Sequence, residues 1–342
     1  MSVVNYSQYC EMLNKAYKEK YAFPAFNVSN METVTAVLSG LQQANSDGII
    51  QVSLGGAAHA SGPEIKDSVL GAIALSDYIR TVASKYSINV AIHTDHCRSC
   101  DLEKFLIPLI EETEKRRKKG LLNVFNSHMF DGSDVKLDEN LKISQELLER
   151  CQKNEIILEI EIGVVGGEED GINNEGIENK KLYSTSEDML KAYESLNKIS
   201  KNFMVAATFG NVHGVYKPGN VKLKPKVLLK GKEAIEEKYG EGEALKFVFH
   251  GGSGSSKEEI QETLNYGVVK MNIDTDTQYA FTRPIADHMF KNYDGVLKIE
   301  EEVGNKKCYD PRAYLKKGIV GMKERVIKAC EDLNSINSHI KF

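Results

Sequence analysis

The regular alternation of short apolar runs with longer helical patterns, sustained along nearly all of the 342 residues, leaves few folds open to this chain. Eight runs read as strands from their β-branched and aromatic content: residues 22–28, 48–54, 88–95, 122–128, 156–162, 203–209, 246–250 and 267–273. Between them lie segments of helical periodicity, such as 31–44, 65–85, 140–153 and 186–200, each long enough to return the chain for a parallel strand through a right-handed crossover. Segment 101–119 carries apolar residues at 102, 105, 106, 109 and 110, one helical face, and Pro108 is expected to kink it or to start a new helix. There is no short-period repeat, low-complexity tract or Pro-rich linker. The pattern therefore predicts an α/β fold, a (β/α)8 TIM barrel forming a single domain over residues 1–342, with an N-terminal helix and a C-terminal helical extension. In such a barrel the chemistry gathers at the C-terminal ends of the strands.

Three of those ends carry histidine. His96 closes His93-Thr94-Asp95-His96 after the third run, His213 follows the sixth in Gly210-Asn211-Val212-His213-Gly214, and His250 follows the seventh, ahead of Gly251-Gly252-Ser253-Gly254. A lone histidine in such a place is more often a satisfied core residue than a ligand. Three at one mouth match the nitrogen set that zinc takes in catalytic sites, with one coordination position left for water or substrate. Asn27, Ser53, Asp95, Asp131, Glu159 and Glu161 add polar groups near strand ends. Glu159 and Glu161 share one face by the period of two, so at least one is expected at the mouth. Asp131 and Glu161 offer either a second or alternative metal position or a salt bridge. His93 is expected to be a satisfied interior histidine, and His59, His128, His288 and His339, without companion ligands, are assigned structural places.

The turn after the seventh run leads into KEEIQETL, where Ser256 and Glu259 fit a capping box, so the exposed amides at the start of that helix form an anion site. Asn272, Ile273, Asp274 and Thr275 make a second strand-to-helix turn after the eighth run. Many barrels hold phosphate in these two loops, which points to a phosphorylated substrate. The connections 163–185 and 213–226 are long and aperiodic. The first carries Gly166-Gly167 and then Glu168-Glu169-Asp170, which reads either as a lid bearing a carboxylate or as a solvated acidic loop.

Composition narrows the partners. With 44 Lys and Arg against 49 Asp and Glu, a net charge of -5, the chain has no basic field for nucleic acid or an anionic membrane. The one basic run, Lys115 to Lys119, ends a helical pattern, where cations suit the negative end of the dipole. No apolar stretch has membrane-spanning length and the N-terminus does not look like a signal peptide, so a soluble cytoplasmic protein is expected. The six scattered cysteines predict reduced thiols, and Cys97 and Cys100 have no second C-x-x-C with which to complete a structural zinc site. A metal ion, a phosphate anchor and carboxylates at one mouth describe a metal-dependent aldolase or isomerase of sugar phosphates. A zinc hydrolase barrel fits less well, because the first strand reads AFPAFNV and lacks an H-x-H pair.

The blocks FPAFN, HTDHC, SHMFDGS, LEIEIGVVGGEEDG, TFGNVHGVYKPGN, FVFHGGSGS, VVKMNIDTDTQ and YDPR resemble the class II, zinc-dependent fructose-1,6-bisphosphate aldolases over nearly the whole chain. The long GGEEDG loop is similar to that of the larger subgroup. The resemblance implies reversible cleavage of fructose 1,6-bisphosphate to dihydroxyacetone phosphate and glyceraldehyde 3-phosphate in glycolysis and gluconeogenesis, with another ketose bisphosphate such as the tagatose epimer as the alternative substrate. It implies His96, His213 and His250 as ligands of a catalytic Zn2+, with Asp131 and Glu161 holding a second divalent ion or an alternative zinc position. Asp95 is implied as the group that protonates the aldehyde oxygen in condensation and takes the hydroxyl proton in cleavage. Glu169 is implied as the acid that exchanges the ketone C1 proton, with Glu168 as the competing assignment. Gly214, Gly251, Gly252, Ser253, Asn272, Ile273, Asp274 and Thr275 match the dihydroxyacetone phosphate site, with Lys217 nearby and a monovalent cation, Na+ or K+, on carbonyls around His213 and His250. Asn27 and Ser53 match contacts to the sugar, although Leu54 stands where relatives often carry Asn. Arg312 matches the arginine that reaches the second phosphate across a homodimer interface. A metal-binding scaffold without catalysis would have lost Asp95 or one of the histidines, and all are present.

Overall fold

In a computed structural model of the chain, which describes residues 2–169, 172–173, 182–213, 223–252, 255–297 and 303–342, eleven strands are described. They are β1 (Phe23–Asn27), β2 (Gly48–Val52), β3 (Val90–Thr94), β4 (Ser127–Asp131), β5 (Ile157–Ile162), β6 (Gly166–Glu169), β7 (Ile172–Asn173), β8 (Phe203–Ala207), β9 (Val212–His213), β10 (Phe247–Phe249) and β11 (Val268–Ile273). Eight of them close into a parallel barrel in the neighbour order β1-β11-β10-β8-β5-β4-β3-β2, so the chain walks round without a skip and its last strand pairs with its first. This is the (β/α)8 architecture that the alternation of strands and helices predicts.

Two elements differ from expectation, and in a third Pro108 opens a new helix as expected. The fourth strand is Ser127–Asp131, not 122–128. Backbone bonding to β3 begins at Asn126, whose amide donates to the Ile92 carbonyl at 2.8 Å while its side-chain Oδ1 takes the Ile92 amide at 2.8 Å and its Nδ2 donates to the Val4 carbonyl at 2.7 Å; the regular register then runs from Ser127. As a result Asp131 is the last residue of β4 and does not follow it. The expected helix 65–85 is Ser68–Ala83, and an unexpected short helix, Leu54–Ala60, precedes it, with Gly62 at a φ of 97° and Pro63 between the two. Segment 101–119 has one π-helical stretch, Leu102–Leu106, before the α-helix Ile107–Lys118, whose first turn holds Pro108. The wider π-turn, in which Ile107 donates to the Leu102 carbonyl, ends just before the proline, which has no amide to donate back along the helix.

Alternate residues of each barrel strand serve two cores. Outward side chains such as Phe26, Ile50, Ile92, Phe130, Leu158, Val205 and Phe249 pack with the helices. Inward ones, including Phe23, Ala25, Ile49, Ala91, Ile157, Met204 and Val248, form a separate apolar plug together with Tyr9, Met12 and Leu13 of the helix Tyr6–Glu19. Above this floor the inward positions turn polar. Gln51, His93, Ser127, Glu159 and Lys270 are buried at the next level, and Asp95, Asp131, Glu161, His250 and Asn272 lie at or just beyond the strand ends. Isolated charges at that depth would cost several kcal/mol each, so the layer must pair internally.

His93 is interior as anticipated, with Nδ1 2.7 Å from Ser127 Oγ, but it is only half satisfied: its buried Nε2 makes no hydrogen bond among the described residues and stands 3.4 Å from Glu159 Oε2. Burial, reinforced by the Lys270 ammonium, drives its pKa well below the ordinary histidine value. His128 pairs with Thr94 Oγ1 at 2.7 Å, and burial pushes it down to about 3. Among the described residues all six cysteines are free, and no helix is long and apolar enough to cross a membrane.

The helix Leu137–Lys153 fixes the ends of two strands through one side chain. Asn140 Nδ2 donates to the Gly132 carbonyl at 3.1 Å and to the Glu161 carbonyl at 2.7 Å. A Cβ on Gly132 would stand 2.1 Å from that nitrogen, so only glycine permits the approach. Replacing Asn140 by alanine strands two buried carbonyls. We expect Asn140→Ala to lower the unfolding free energy by about 2 to 4 kcal/mol, read from the urea midpoint at unchanged m-value. An unshifted midpoint would mean that helix and strands are held together by packing alone.

Candidate active site

The polar layer at the C-terminal mouth gathers groups from five different strands. Asp95 and His96 follow β3, Asp131 ends β4, Glu159 and Glu161 lie on the inward face of β5, His250 follows β10 and Asn272 lies on β11. The imidazoles of His96 and His250 stand with ring centroids 4.7 Å apart. Ligand atoms of His96, Glu161 and His250 all lie within 4.8 Å of one another. Asp131 joins the same group, with Oδ2 3.1 Å from His96 Nδ1, and Glu161 Oε2 is 3.8 Å from that nitrogen. Asp131 and Glu161 therefore share the histidines' own cluster.

His250 shows what the cluster demands. Its Nε2 is 2.8 Å from Glu159 Oε1 and its Nδ1 is 2.8 Å from Glu161 Oε2. An imidazole between two carboxylates either carries a second proton or shares one nitrogen with a cation. Burial works against the charged form, but the two carboxylates outweigh it and hold the His250 pKa above its ordinary value. Burial would likewise raise Glu159, yet the Lys270 ammonium at 2.8 Å, together with His250, keeps it well below the usual carboxylate range. Asp131 is also held low, since the hydrogen bonds to His96 and Ser133 outweigh its burial. Two ligands on tetrahedral zinc stand about 3.3 Å apart, given metal–ligand bonds of about 2.0 Å. The two imidazoles and the carboxylates that accompany them fit such an ion in type and in spacing. With Glu159 accepting the Nε2 proton of His250, Nδ1 is the nitrogen left for a metal, the carboxylate–histidine arrangement common behind metal ligands.

Asp95 lies beside the cluster, buried, and accepts two amide bonds, from Asn27 Nδ2 at 2.8 Å and from Asn272 Nδ2 at 3.1 Å. It is a fixed carboxylate next in sequence to His96, a candidate metal ligand, and it lies where a carboxylate can exchange a proton with an oxygen at the mouth. The helices after β10 and β11 start at the same mouth. Ser256 caps Lys257–Asn265 with both halves of the capping box present, and Thr275 opens Thr275–Lys291 directly after Ile273 and Asp274. Gly252 permits close packing there, since a Cβ on it would stand 2.1 Å from Met271 Cε, and Gly251 sits at a φ of 59°.

Other sequence candidates fall differently. Ser53 caps the helix Leu54–Ala60, its Oγ accepting from the Gly56 amide at 3.1 Å. Arg312 is exposed in the first turn of Pro311–Asp332 and pairs with Asp310 at 2.7 Å; no described contact joins it to the histidine cluster. The connection expected to be without structure contributes β6 and β7, which form a small sheet with β9 in which Gly167 pairs with His213 and Glu169 with Ile172. The backbones of Glu168, Glu169 and His213 thus share one sheet. Their side chains, and all of Gly214, Lys217 and Ser253, lie outside the described residues. Before β9, Asn211 Nδ2 donates to the His250 carbonyl at 2.9 Å, tying that loop to the cluster. Sequence reasoning passed over Gln51 and Lys270. A lysine inside the apolar run VVKMNI was the available signal, because lysine is almost never fully buried unless paired.

Comparison with known proteins agrees with this geometry. A family model described as class-II fructose-bisphosphate aldolase matches residues 7–338. The fructose-bisphosphate aldolase of Mycobacterium tuberculosis is 55% identical over 338 residues, 98% of each chain. That of Streptomyces coelicolor is 51% identical over 345 residues, covering all of both. Among solved structures, the fructose-bisphosphate aldolase of Campylobacter jejuni superposes with a TM-score of 0.88 at 39% identity, covering 98% of this chain and 97% of that one.

If the cluster binds zinc only when folded, Zn2+ at 100 times its dissociation constant adds about 2.7 kcal/mol to the stability of metal-free protein. We expect that gain as a rise in melting temperature which His250→Ala abolishes. An equal rise in the variant would place the ion elsewhere.

Proposed function

The chain belongs to the class II fructose-bisphosphate aldolase family and is therefore a lyase, and from that premise we propose that it cleaves fructose 1,6-bisphosphate reversibly to dihydroxyacetone phosphate and glyceraldehyde 3-phosphate, serving glycolysis and gluconeogenesis, with a catalytic zinc ion held by His96, His213 and His250. The observation that carries this reading is the convergence of His96, His250 and Glu161 beside the doubly bonded carboxylate of Asp95. A divalent ion held there supplies the positive charge that polarises a substrate oxygen. Asp131 and Glu161 serve a second or alternative divalent position, supported by their distances to His96.

Asp95 removes the C4 hydroxyl proton as the C3–C4 bond breaks, and returns it to the aldehyde oxygen in condensation. The electron pair of the broken bond stays on the dihydroxyacetone phosphate half, whose carbon is then protonated by Glu169, with Glu168 as the alternative on the same strand. Asn27 and Ser53 contact the sugar. The phosphate of the dihydroxyacetone half binds at Gly214, Gly251, Gly252, Ser253 and the turn Asn272 to Thr275, where two helices begin close together. Lys217 and a monovalent cation, Na+ or K+, complete that subsite. Arg312 reaches the second phosphate of a neighbouring protomer in a homodimer. Its exposed position supports this, as do uncovered apolar side chains on the C-terminal extension such as Phe290, 81% exposed, and Val303, 78% exposed. The free thiols and acidic net charge support a cytoplasmic setting without nucleic-acid or membrane partners.

Dialysis against a chelator should abolish cleavage, and zinc or cobalt should restore it. Activity that survives chelation, or that borohydride traps with substrate, would point to a Schiff-base lysine instead. For Asp95→Ala we expect unchanged zinc content with cleavage reduced by about 10² to 10⁴-fold; near-normal turnover would remove Asp95 from the reaction. Arg312→Ala should raise KM for the bisphosphate at least tenfold at unchanged metal content, a loss of about 1.4 kcal/mol of binding. The ratio of kcat/KM between the C4-epimeric fructose and tagatose bisphosphates decides the substrate.

A further inference from the structure

A lysine lies inside the barrel, wholly buried beneath the mouth, and none of the roles given above uses it. Lys270 comes to face the lumen through a local irregularity in β11. Phe247 of β10 pairs with Val268 and the next residue, Val248, pairs with Lys270, so Val269 is an inserted residue. Val269 belongs to the apolar plug, and Lys270 reaches Glu159 across the lumen, so two successive side chains point inward. Beyond the bulge, Asn272 faces inward as well, whereas Met271 and Ile273 join the outer core. Without the extra residue the alternation would send Lys270 and Asn272 out among the helices. Bulges next to active sites commonly re-aim a side chain in this way.

The ammonium makes two short bonds, to Glu159 Oε2 at 2.8 Å and to Asn272 Oδ1 at 2.7 Å. The second one decides the orientation of an amide. An ammonium can only donate, so the oxygen of Asn272 must face Lys270 and its NH2 must face away. That NH2 donates to Asp95 Oδ1 at 3.1 Å. On the other side of Asp95 the arrangement recurs: Gln51 Nε2 donates to Asn27 Oδ1, which leaves the Asn27 NH2 for Asp95 Oδ2 at 2.8 Å. Asp95 is thus clamped by two amides, each turned by a donor one level deeper in the barrel.

We propose that Lys270 is a positioning residue for Asp95: by holding the Asn272 carbonyl it turns the Asn272 NH2 onto the Asp95 carboxylate and keeps that carboxylate in the orientation that proton transfer to a substrate oxygen requires. The proposal rests on the reading of Asp95 as the proton carrier of aldol cleavage. The alternative is that Lys270 merely neutralises Glu159 and supports His250, a structural ion pair. The two differ in which half of the chemistry they touch. Proton exchange at the hydroxymethyl carbon of dihydroxyacetone phosphate, followed in D2O, needs an intact metal site and a carbon base, and it involves no aldehyde oxygen. Carbon–carbon cleavage needs Asp95 in addition.

The test uses Lys270→Met and, because a lone buried carboxylate destabilises the fold, the double variant Lys270→Met with Glu159→Gln, in which the glutamine carbonyl still accepts the His250 Nε2 proton. In the folded variants we expect wild-type zinc content by mass spectrometry. KM for fructose 1,6-bisphosphate and the rate of deuterium exchange should stay within about threefold of wild type. The kcat for cleavage should fall about 10²-fold, the effect of misplacing a catalytic group by about an ångström. A crystal structure of the variant should show the Asp95 carboxylate rotated off Asn272. Cleavage within threefold of wild type overturns the proposal, and so does a loss of exchange or of zinc in the double variant beyond that of Glu159→Gln alone, which already removes the carboxylate behind His250. If Asp95→Ala itself cleaves normally, the assignment of Asp95 has failed instead, and that result is read independently of Lys270.

Discussion

A buried imidazole held between two carboxylates is the interaction on which the rest of this structure depends. His250 meets Glu159 through one nitrogen and Glu161 through the other, with almost no solvent access. So much negative charge at the centre of a barrel is stable only if something positive answers it. Lys270 does so from below, at Glu159. From above, a divalent ion at the mouth is the natural complement, and the second imidazole, His96, stands where it would share that ion. With such an ion bound, the charges would balance in depth, with the Lys270 ammonium under the carboxylates and the cation over them.

The barrel supports this by layering its interior. An apolar floor formed by the first inward residues of the strands and capped by the N-terminal helix closes one end. Next comes a polar level whose members bond one another, His93 to Ser127 on the adjacent strand and Lys270 to Glu159 across the lumen. The mouth carries the groups assigned to chemistry. Each level fixes the one above, so that Gln51 and Lys270 orient Asn27 and Asn272, and these in turn hold Asp95. Residues one level below the mouth are thereby joined to Asp95 without touching the mouth themselves.

Much of this was legible in the sequence, for identifiable reasons. Apolar runs rich in β-branched and aromatic residues located seven of the eight barrel strands within about two residues, and the helix Met31–Ala44 begins and ends where its pattern does. The fourth strand was misplaced because apolar content is only a proxy for ladder pairing. Leu121 and Leu122 are exposed on the approach, and backbone bonding to β3 begins only at Asn126, whose side chain takes the Ile92 amide. The histidines at strand exits were readable because function in this architecture sits at one end of every strand. Lys270 and Gln51 were not, since period two alone places Lys270 on the same face as Val268 and Ile273 on the opposite one. A bulge is invisible to that pattern. The acid on the GGEED strand and the imidazole of His213 were legible only as motifs, and the backbone pairing of Gly167 with His213 brings those two stretches into one sheet.

Zinc-edge anomalous diffraction from crystals grown with stoichiometric Zn2+ tests the central claim most directly. The account predicts one dominant peak at the barrel mouth, about 2.0 to 2.1 Å from a ring nitrogen of each of His96, His213 and His250, with the Asp95 carboxylate still on Asn27 and Asn272. A peak bound by fewer than two of these histidines, or one centred elsewhere on the chain, would contradict it.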